Sequence, residues 1–519
     1  MAFRITYSVL DADLEALHRE LDGSLDGVRA SLGSDHPCWV NGHPVATGAL
    51  FDNRNPANPD QLLGRFHAAD ATLVDQAVIA ARVAQRDWGR RPWQERVAMV
   101  RAAADLISQR RLEVASMMML ETGKNRLESL GDVEEAADLL RYYAAQVEEA
   151  NGYVRPLGRL SPNENTRDVL KPYGVFAVIS PFNFPLALPA GMSSAALLGG
   201  NAVILKPSEE TPASAEALYV ALRDAGVPNG VFQVLHGTGE VVGRSLVQHV
   251  GVDGVAFTGS RAVGLEIHRS LAREFIKPAL LELGGKNAAV VCRDADLDAA
   301  AEGVVRSAFG LSGQKCSALS RLFVDRNIKA SLLDRILQRT TGLKLGDPTQ
   351  RDVFVGPVIN IEAVRRYDRA AEQARQTGVV HVGAERPSKR ADLATGYFVL
   401  PTVAELPRNH PLTQDELFLP FLTVETFDTL PEAIGLVNAL PYGLTGGVFS
   451  AREQDVEYFM DHAEAGVLYA NRRTGATTGA WPGVQSFCGW KGSGSTGKGG
   501  CGPYYVAQFM REQSQTRMQ

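Results

Sequence analysis

The sequence reads as an α/β protein of more than one domain. Two observations carry that reading. From Gly174 onward, short β-branched runs alternate with helical patterns, as in a parallel sheet covered on both faces. The chain also has 519 residues, more than one ordinary hydrophobic core organises. Its 45% hydrophobic and 22% charged residues are the balance of a globular protein in water.

The elements follow in order. Leu14, Leu17, Leu21, Leu25, Val28 and Leu32 recur three or four apart and predict an N-terminal helix. CWVNGHPVATGALFDNRNPANP predicts a short hairpin and then a loop. From Asp70 to about Tyr143 the pattern is helical, ending in DVEEAADLLRYYAAQV. GVFAVIS, NAVILKP, GVFQVLHG and GVAFTGS then read as strands, separated by helical stretches that include SAEALYVALRDAG, EVVGRSLVQHV and AVGLEIHRSLAREF. PALLELGG leads into another strand, and a second βα-rich region runs from KNAAVVC to PYGLTGGVFS. The glycine-rich GWKGSGSTGKGGCGP precedes YYVAQFMREQSQT, which alternates as a strand does.

Charge and cysteine usage exclude several classes. The net charge of −6 argues against a nucleic-acid footprint or an anionic membrane surface. The N-terminus has no apolar signal core, and the most apolar later stretch is broken by prolines, serines and glycines. Cys38, Cys292, Cys316, Cys488 and Cys501 are odd in number and widely spread. Neither a zinc site nor a disulfide framework fits that spacing, so no metal is expected and a cytoplasmic, reducing setting is.

The chemistry centres on GQKCSA, where Cys316 lies between a helical pattern and a strand. Buried packing and nucleophilic thiolate are the readings left open. Glu282, in LELGGKN, is a carboxylate in an otherwise apolar strand, which is costly without a task or partner. Asn183, in SPFNFP, is an amide held between phenylalanines and prolines, where it can donate to a developing oxyanion. Lys206 and Glu209, in LKPSEETP, stand just past a strand end, where they form either a solvated ion pair or a grip on ribose hydroxyls. Gly259 and Ser260, in FTGSRAVG, open a helix whose N–H groups suit a phosphate. A GxGxxG fingerprint is missing, and GTGEVVG only approaches one.

PFNFP, LKPSEETP, FTGSRAVG, LELGGKN, GQKCSA, DELFLP and PYGLTGGVFS together resemble the aldehyde dehydrogenase superfamily, in its order and approximate spacing. The resemblance covers about Asn53 to the C-terminus. Within the superfamily, Asn471-Arg472 and TGAWPGVQSF are similar to the branch acting on 1-pyrroline-5-carboxylate. The resemblance implies a Rossmann-like cofactor domain (1–150 and 169–283), an α/β catalytic domain (284–495) and a β oligomerisation flap (151–168 and 496–519). It implies Cys316 as nucleophile, Glu282 as general base and Asn183 as oxyanion donor, the last helped by the Cys316 backbone N–H. Lys206 and Glu209 match the adenosine-ribose grip. Gly259, Ser260 and Gly264 match the pyrophosphate turn, and Glu416 and Phe418 the nicotinamide contacts. Ser317, Gly479 and Ala480 match donors to a substrate carboxylate, and Phe184 and Phe487 an aromatic clamp. Glu135 is either a partner for a substrate amine or a solvated surface residue.

The implied activity is NAD-dependent oxidation of L-glutamate 5-semialdehyde, in a homodimer or a dimer-built assembly. Another aldehyde, a silent NAD-binding protein and a cysteine hydrolase are the competing readings. The Glu209 carboxylate favours NAD over NADP. Two positions depart from the family pattern: Leu419 stands where glycine is usual, and SFCGW replaces PFGG. The first fifty residues lack the N-terminal signature expected of this branch.

Overall fold

The computed structural model describes residues 14–272, 276–387, 390–474 and 481–518. Gly479 and Ala480 therefore lie outside the described residues. Two seven-stranded sheets dominate. In the first, the strand order is Ala279–Glu282, Gly254–Thr258, Val175–Ile179, Ala202–Lys206, Phe232–Val234, Cys38–Val40 and His43–Val45. The first five are mutually parallel, and the last two are an antiparallel hairpin. Val175–Ile179, Ala202–Lys206 and Gly254–Thr258 are buried along their whole lengths. This explains their continuous apolar runs, since helices cover both faces of such a sheet.

The chain starts this parallel set at Val175–Ile179, moves outward to Phe232–Val234, then returns to the other side of its starting strand. The order reverses between Val175–Ile179 and Gly254–Thr258. A crevice opens at such a reversal, beyond the carboxyl ends of the strands.

The second sheet runs Val379–Val382, Thr402–Glu405, Phe421–Phe427, Leu319–Asp325, Asn287–Val291, Thr445–Phe449 and Val467–Ala470. Only Val379–Val382 is antiparallel to its neighbour. A three-stranded antiparallel ribbon joins Val154–Pro156, Glu164–Pro172 and Met510–Met518.

Several sequence expectations need correction. The segment expected to be a loop after Val45 forms a second hairpin, Leu50–Asn55 with Asn58–His67. EVVGRSLVQHV is a wide turn followed by a helix of five residues, Arg244–Gln248. The C-terminal strand starts only at Met510, because Val506–Phe509 forms a tight helical turn. Phe509 is fully buried there against Phe176 and Tyr505, and that packing overrides the alternating pattern.

Candidate active site

Parallel register sets the first layer of the site. Glu282 pairs with Thr258, Phe257 with Ile179, and Ile179 with Lys206. These strands are parallel, so Glu282, Gly259-Ser260, Asn183 and Lys206 all emerge at one edge of the sheet. Three strand spacings of about 4.8 Å place the outer two roughly 14 Å apart.

Cys316 reaches that edge from the second sheet. Glu282 ends one strand, and only Leu283–Lys286 separate it from Asn287–Val291 in the other sheet. Asn287 pins the cysteine loop: its amide donates to the carbonyls of Cys316 (2.7 Å) and Ala318 (2.9 Å). A side chain at Gly285 would stand 2.8 Å from the Cys316 carbonyl, so glycine is what permits this approach. Asn183 is buried and donates to the Gln314 carbonyl at 3.0 Å, two residues before the thiol.

The electrostatics are those of a dry site. Burial pushes the Cys316 thiol up to about 12, the Glu416 and Glu282 carboxylates add to the shift, and the backbone N–H groups of Ser317 and Cys316 oppose it. Burial also raises the Glu282 carboxyl well above the usual range, against one backbone N–H from Gly489. Glu282 Oε2 has no hydrogen-bond partner among the described residues. Both groups lie deep in the protein, yet each keeps some surface because it faces a common cleft.

That cleft gathers Cys316, Ser317, Glu282, Phe184 and Phe487 with Glu135, Leu139 and Tyr143. Glu135 is thus a wall residue of the cleft, not a solvated surface residue. Its helix, Arg126–Glu149, turns it inward with Leu139 and Tyr143, four residues apart each. Phe184 also receives the buried Lys124 ammonium over its ring, 3.8 Å from the centroid.

The residues expected to hold the cofactor sit at the crevice. The Lys206 ammonium is buried and bonds the half-exposed Glu209 carboxylate at 2.6 Å. Burial alone would raise the Glu209 carboxyl; contact with Lys206 holds it below its ordinary value instead. Ser260 caps the helix Arg261–Leu271, its Oγ accepting from Val263 N–H at 3.4 Å. At Gly264 a Cβ would collide with the Leu283 side chain, so the glycine brings this helix against the segment that follows Glu282. Glu416 lies across Gly284-Gly285, accepting from Gly285 N–H at 3.1 Å, and burial pushes its carboxyl up to about 7. Phe418 has a φ of 57° and packs edge-on against Phe182. A buried cation paired with a carboxylate, a capped helix start and a second carboxylate over paired glycines form a donor and acceptor set that fits a dinucleotide.

Sequence reasoning missed Asn287, Lys124, Glu128, Asp132 and Tyr143. For Glu128, Asp132 and Tyr143 the signal is the spacing 128, 132, 135, 139 and 143, which places acidic residues on the buried stripe of one helix; Asn287 and Lys124 lie outside that helix and carry no such signal.

Residues 39–514 match the family model described as the aldehyde dehydrogenase family, and the chain belongs to that family. The match begins before Asn53, so the family resemblance starts earlier than the motifs suggest. Among its relatives, a 1-pyrroline-5-carboxylate dehydrogenase of Halalkalibacterium halodurans is 36% identical over 98% of both chains. That of Geobacillus sp. is 35% identical with the same coverage. These alignments take in most of the first fifty residues. The structure of a point mutant of Thermus thermophilus 1-pyrroline-5-carboxylate dehydrogenase superposes with a TM-score of 0.94. It is 33% identical, covering 100% of this chain and 99% of that one. A Thermus 1-pyrroline-5-carboxylate dehydrogenase with bound NAD gives the same score, identity and coverage.

Proposed function

We propose that this chain oxidises L-glutamate 5-semialdehyde, the open form of 1-pyrroline-5-carboxylate, to L-glutamate with NAD, as a step of proline catabolism. One observation carries the reading: Cys316, Glu282, Ser317, Phe184 and Phe487 share a single cleft at the strand-end crevice. The relatives' names supply the substrate.

The residues divide the work as follows. Cys316 gives its proton to water and its Sγ adds as thiolate to the aldehyde carbon, and the carbonyl oxygen takes up charge beside the Asn183 amide and the Cys316 N–H. Donors aimed at such an oxygen are worth roughly 3–4 kcal/mol each. Bound at the crevice by Lys206, Glu209, Ser260 and Glu416, NAD would supply the hydride acceptor. The oxidised carbon is left on sulfur as a thioester. Glu282 takes a proton from water, the water attacks, and the acid leaves. Since Oε2 of Glu282 has no protein partner among the described residues, a water can take that place without displacing another bond. Ser317, with backbone groups at Gly479 and Ala480, serves the substrate carboxylate. Phe184 and Phe487 hold its methylenes, and Glu135 faces its amine.

The division into cofactor domain, catalytic domain and flap is part of this proposal, as are a cytoplasmic location and a homodimer or dimer-built assembly. No helix among the described residues is long and apolar enough to cross a membrane. Steady-state kinetics across an aldehyde panel with NAD test the substrate. A strong preference for glutamate semialdehyde is expected; equal turnover of simple aliphatic aldehydes would reassign it.

A further inference from the structure

The turn before Cys316 is conformationally expensive. Leu311 and Ser312 have φ of 47° and 53°, and Gly313 follows at 69°. Two consecutive side-chain-bearing residues in the left-handed region persist only when their surroundings enforce it. Gly313 tolerates no side chain, since a Cβ would run into the Leu419 carbonyl.

Three side chains enforce the turn. The Ser312 hydroxyl donates to the Gly356 carbonyl at 2.7 Å. Gln314 donates to the Leu311 carbonyl at 3.3 Å and accepts from Ile359 N–H at 2.9 Å. The third is ionic. Glu128 Oε2 accepts from Leu311 N–H at 3.2 Å, while its Oε1 bonds the Lys315 ammonium at 2.7 Å. One carboxylate therefore ties both ends of the turn that delivers the thiol. The pair is largely buried, with side-chain exposures of 13% and 5%. Gly310 leaves it room, since a Cβ there would lie 2.8 Å from Lys315 Nζ.

One helical turn further along, Asp132 performs the matching task on the other side. Fully buried and bonded to Lys124, it accepts from Ala187 N–H at 2.7 Å. That N–H lies just past the segment carrying Asn183 and Phe184. Residues four apart on one helix share a face. The helix Arg126–Glu149 thus holds the thiol-bearing turn through Glu128 and the Asn183-bearing segment through Asp132.

We propose that Glu128 is a positioning residue of this enzyme: by clamping Leu311 N–H and Lys315, it sets the placement of Cys316 against the Asn183 amide. Glu128 touches no reacting atom. It acts through the turn, and the inference rests on Cys316 being the nucleophile.

The test compares full-length wild type with Glu128→Ala, Glu128→Gln and Cys316→Ala, using glutamate semialdehyde and NAD. A misplacement of about 1 Å costs roughly 10²-fold in rate, so Glu128→Ala should lose about that much in kcat. Glu128→Gln still accepts from Leu311 but cannot pair with Lys315. Charge-assisted bonds are about twice as strong as neutral ones, so an intermediate loss of roughly tenfold is expected. KM for NAD of Glu128→Gln should stay at the wild-type value, which a general packing defect would not allow, while the unfolding midpoint falls because the buried Lys315 ammonium loses its partner. Wild-type kcat in Glu128→Gln overturns the inference, as does a parallel loss of kcat and NAD affinity in that variant. If Glu128→Ala fails to fold, Glu128→Gln alone decides. Full activity in Cys316→Ala would instead overturn the nucleophile assignment on which the inference stands.

Discussion

Glu282→Gln should make the enzyme slower and the protein more stable, each with its own pH signature. Burial holds the carboxyl's pKa well above its ordinary value of 4.5, and Oε2 has no partner among the described residues. In the unfolded chain the same group loses its proton near 4.5. Above that pH the unfolded state binds fewer protons than the native state, so stability falls as pH rises through the window up to the native value. Glutamine keeps the shape and has nothing to ionise. The variant should therefore match wild type near pH 4.5 and gain as pH increases. The gain should grow by about 1.4 kcal/mol per pH unit above 4.5 until the native carboxyl ionises. Urea titrations at several pH values measure it. Turnover moves the other way: losing a general base typically costs about 10²–10⁴-fold. A rapid burst of NADH should survive, because Glu282 acts after the thioester forms. Equal loss of burst and steady-state rate would refute this division of labour. A stability gain independent of pH would refute the electrostatic argument.

Three further outcomes follow from the same geometry. Lys124→Met strands a buried Asp132 and should cost roughly 3–5 kcal/mol in denaturant titration, much of it recovered by adding Asp132→Asn; an unaffected single variant would contradict the pairing. Glu209→Gln removes the charge that repels a 2′-phosphate, so kcat/KM with NADP should improve roughly tenfold, the small end of a like-charge penalty; unchanged cofactor selectivity would dismiss that role. Gly284→Ala drives a methyl into Glu416 Oε2 and so displaces a flexible carboxylate end rather than backbone. KM for NAD should rise by a factor of roughly five, about 1 kcal/mol, with the unfolding midpoint unchanged.

Much of this was legible in the residues because parallel sheets announce themselves. Buried strands such as Ala202–Lys206 show unbroken apolar runs, and their carboxyl ends carry the polar motifs. What the sequence hid was tertiary. No local pattern distinguishes Glu135 on a cleft wall from a glutamate in water; only the packing of Arg126–Glu149 against Ala187–Leu198 does that. The strained turn at Leu311-Ser312 is equally silent, since neither residue favours positive φ and the contacts that enforce it lie far along the chain. The hairpin at Leu50–His67 looked like a loop because Asn and Pro dominate its tip, while its pairing is set by long-range register.

The most direct test of the central claim is to trap the acyl group. Glu282→Gln, given glutamate semialdehyde and NAD, then digested and examined by peptide mass spectrometry, should carry an acyl adduct on the peptide containing Cys316. The adduct should require both substrate and NAD. NADH formation with no adduct at Cys316, or with the adduct on Cys488 or Cys501, would contradict the account.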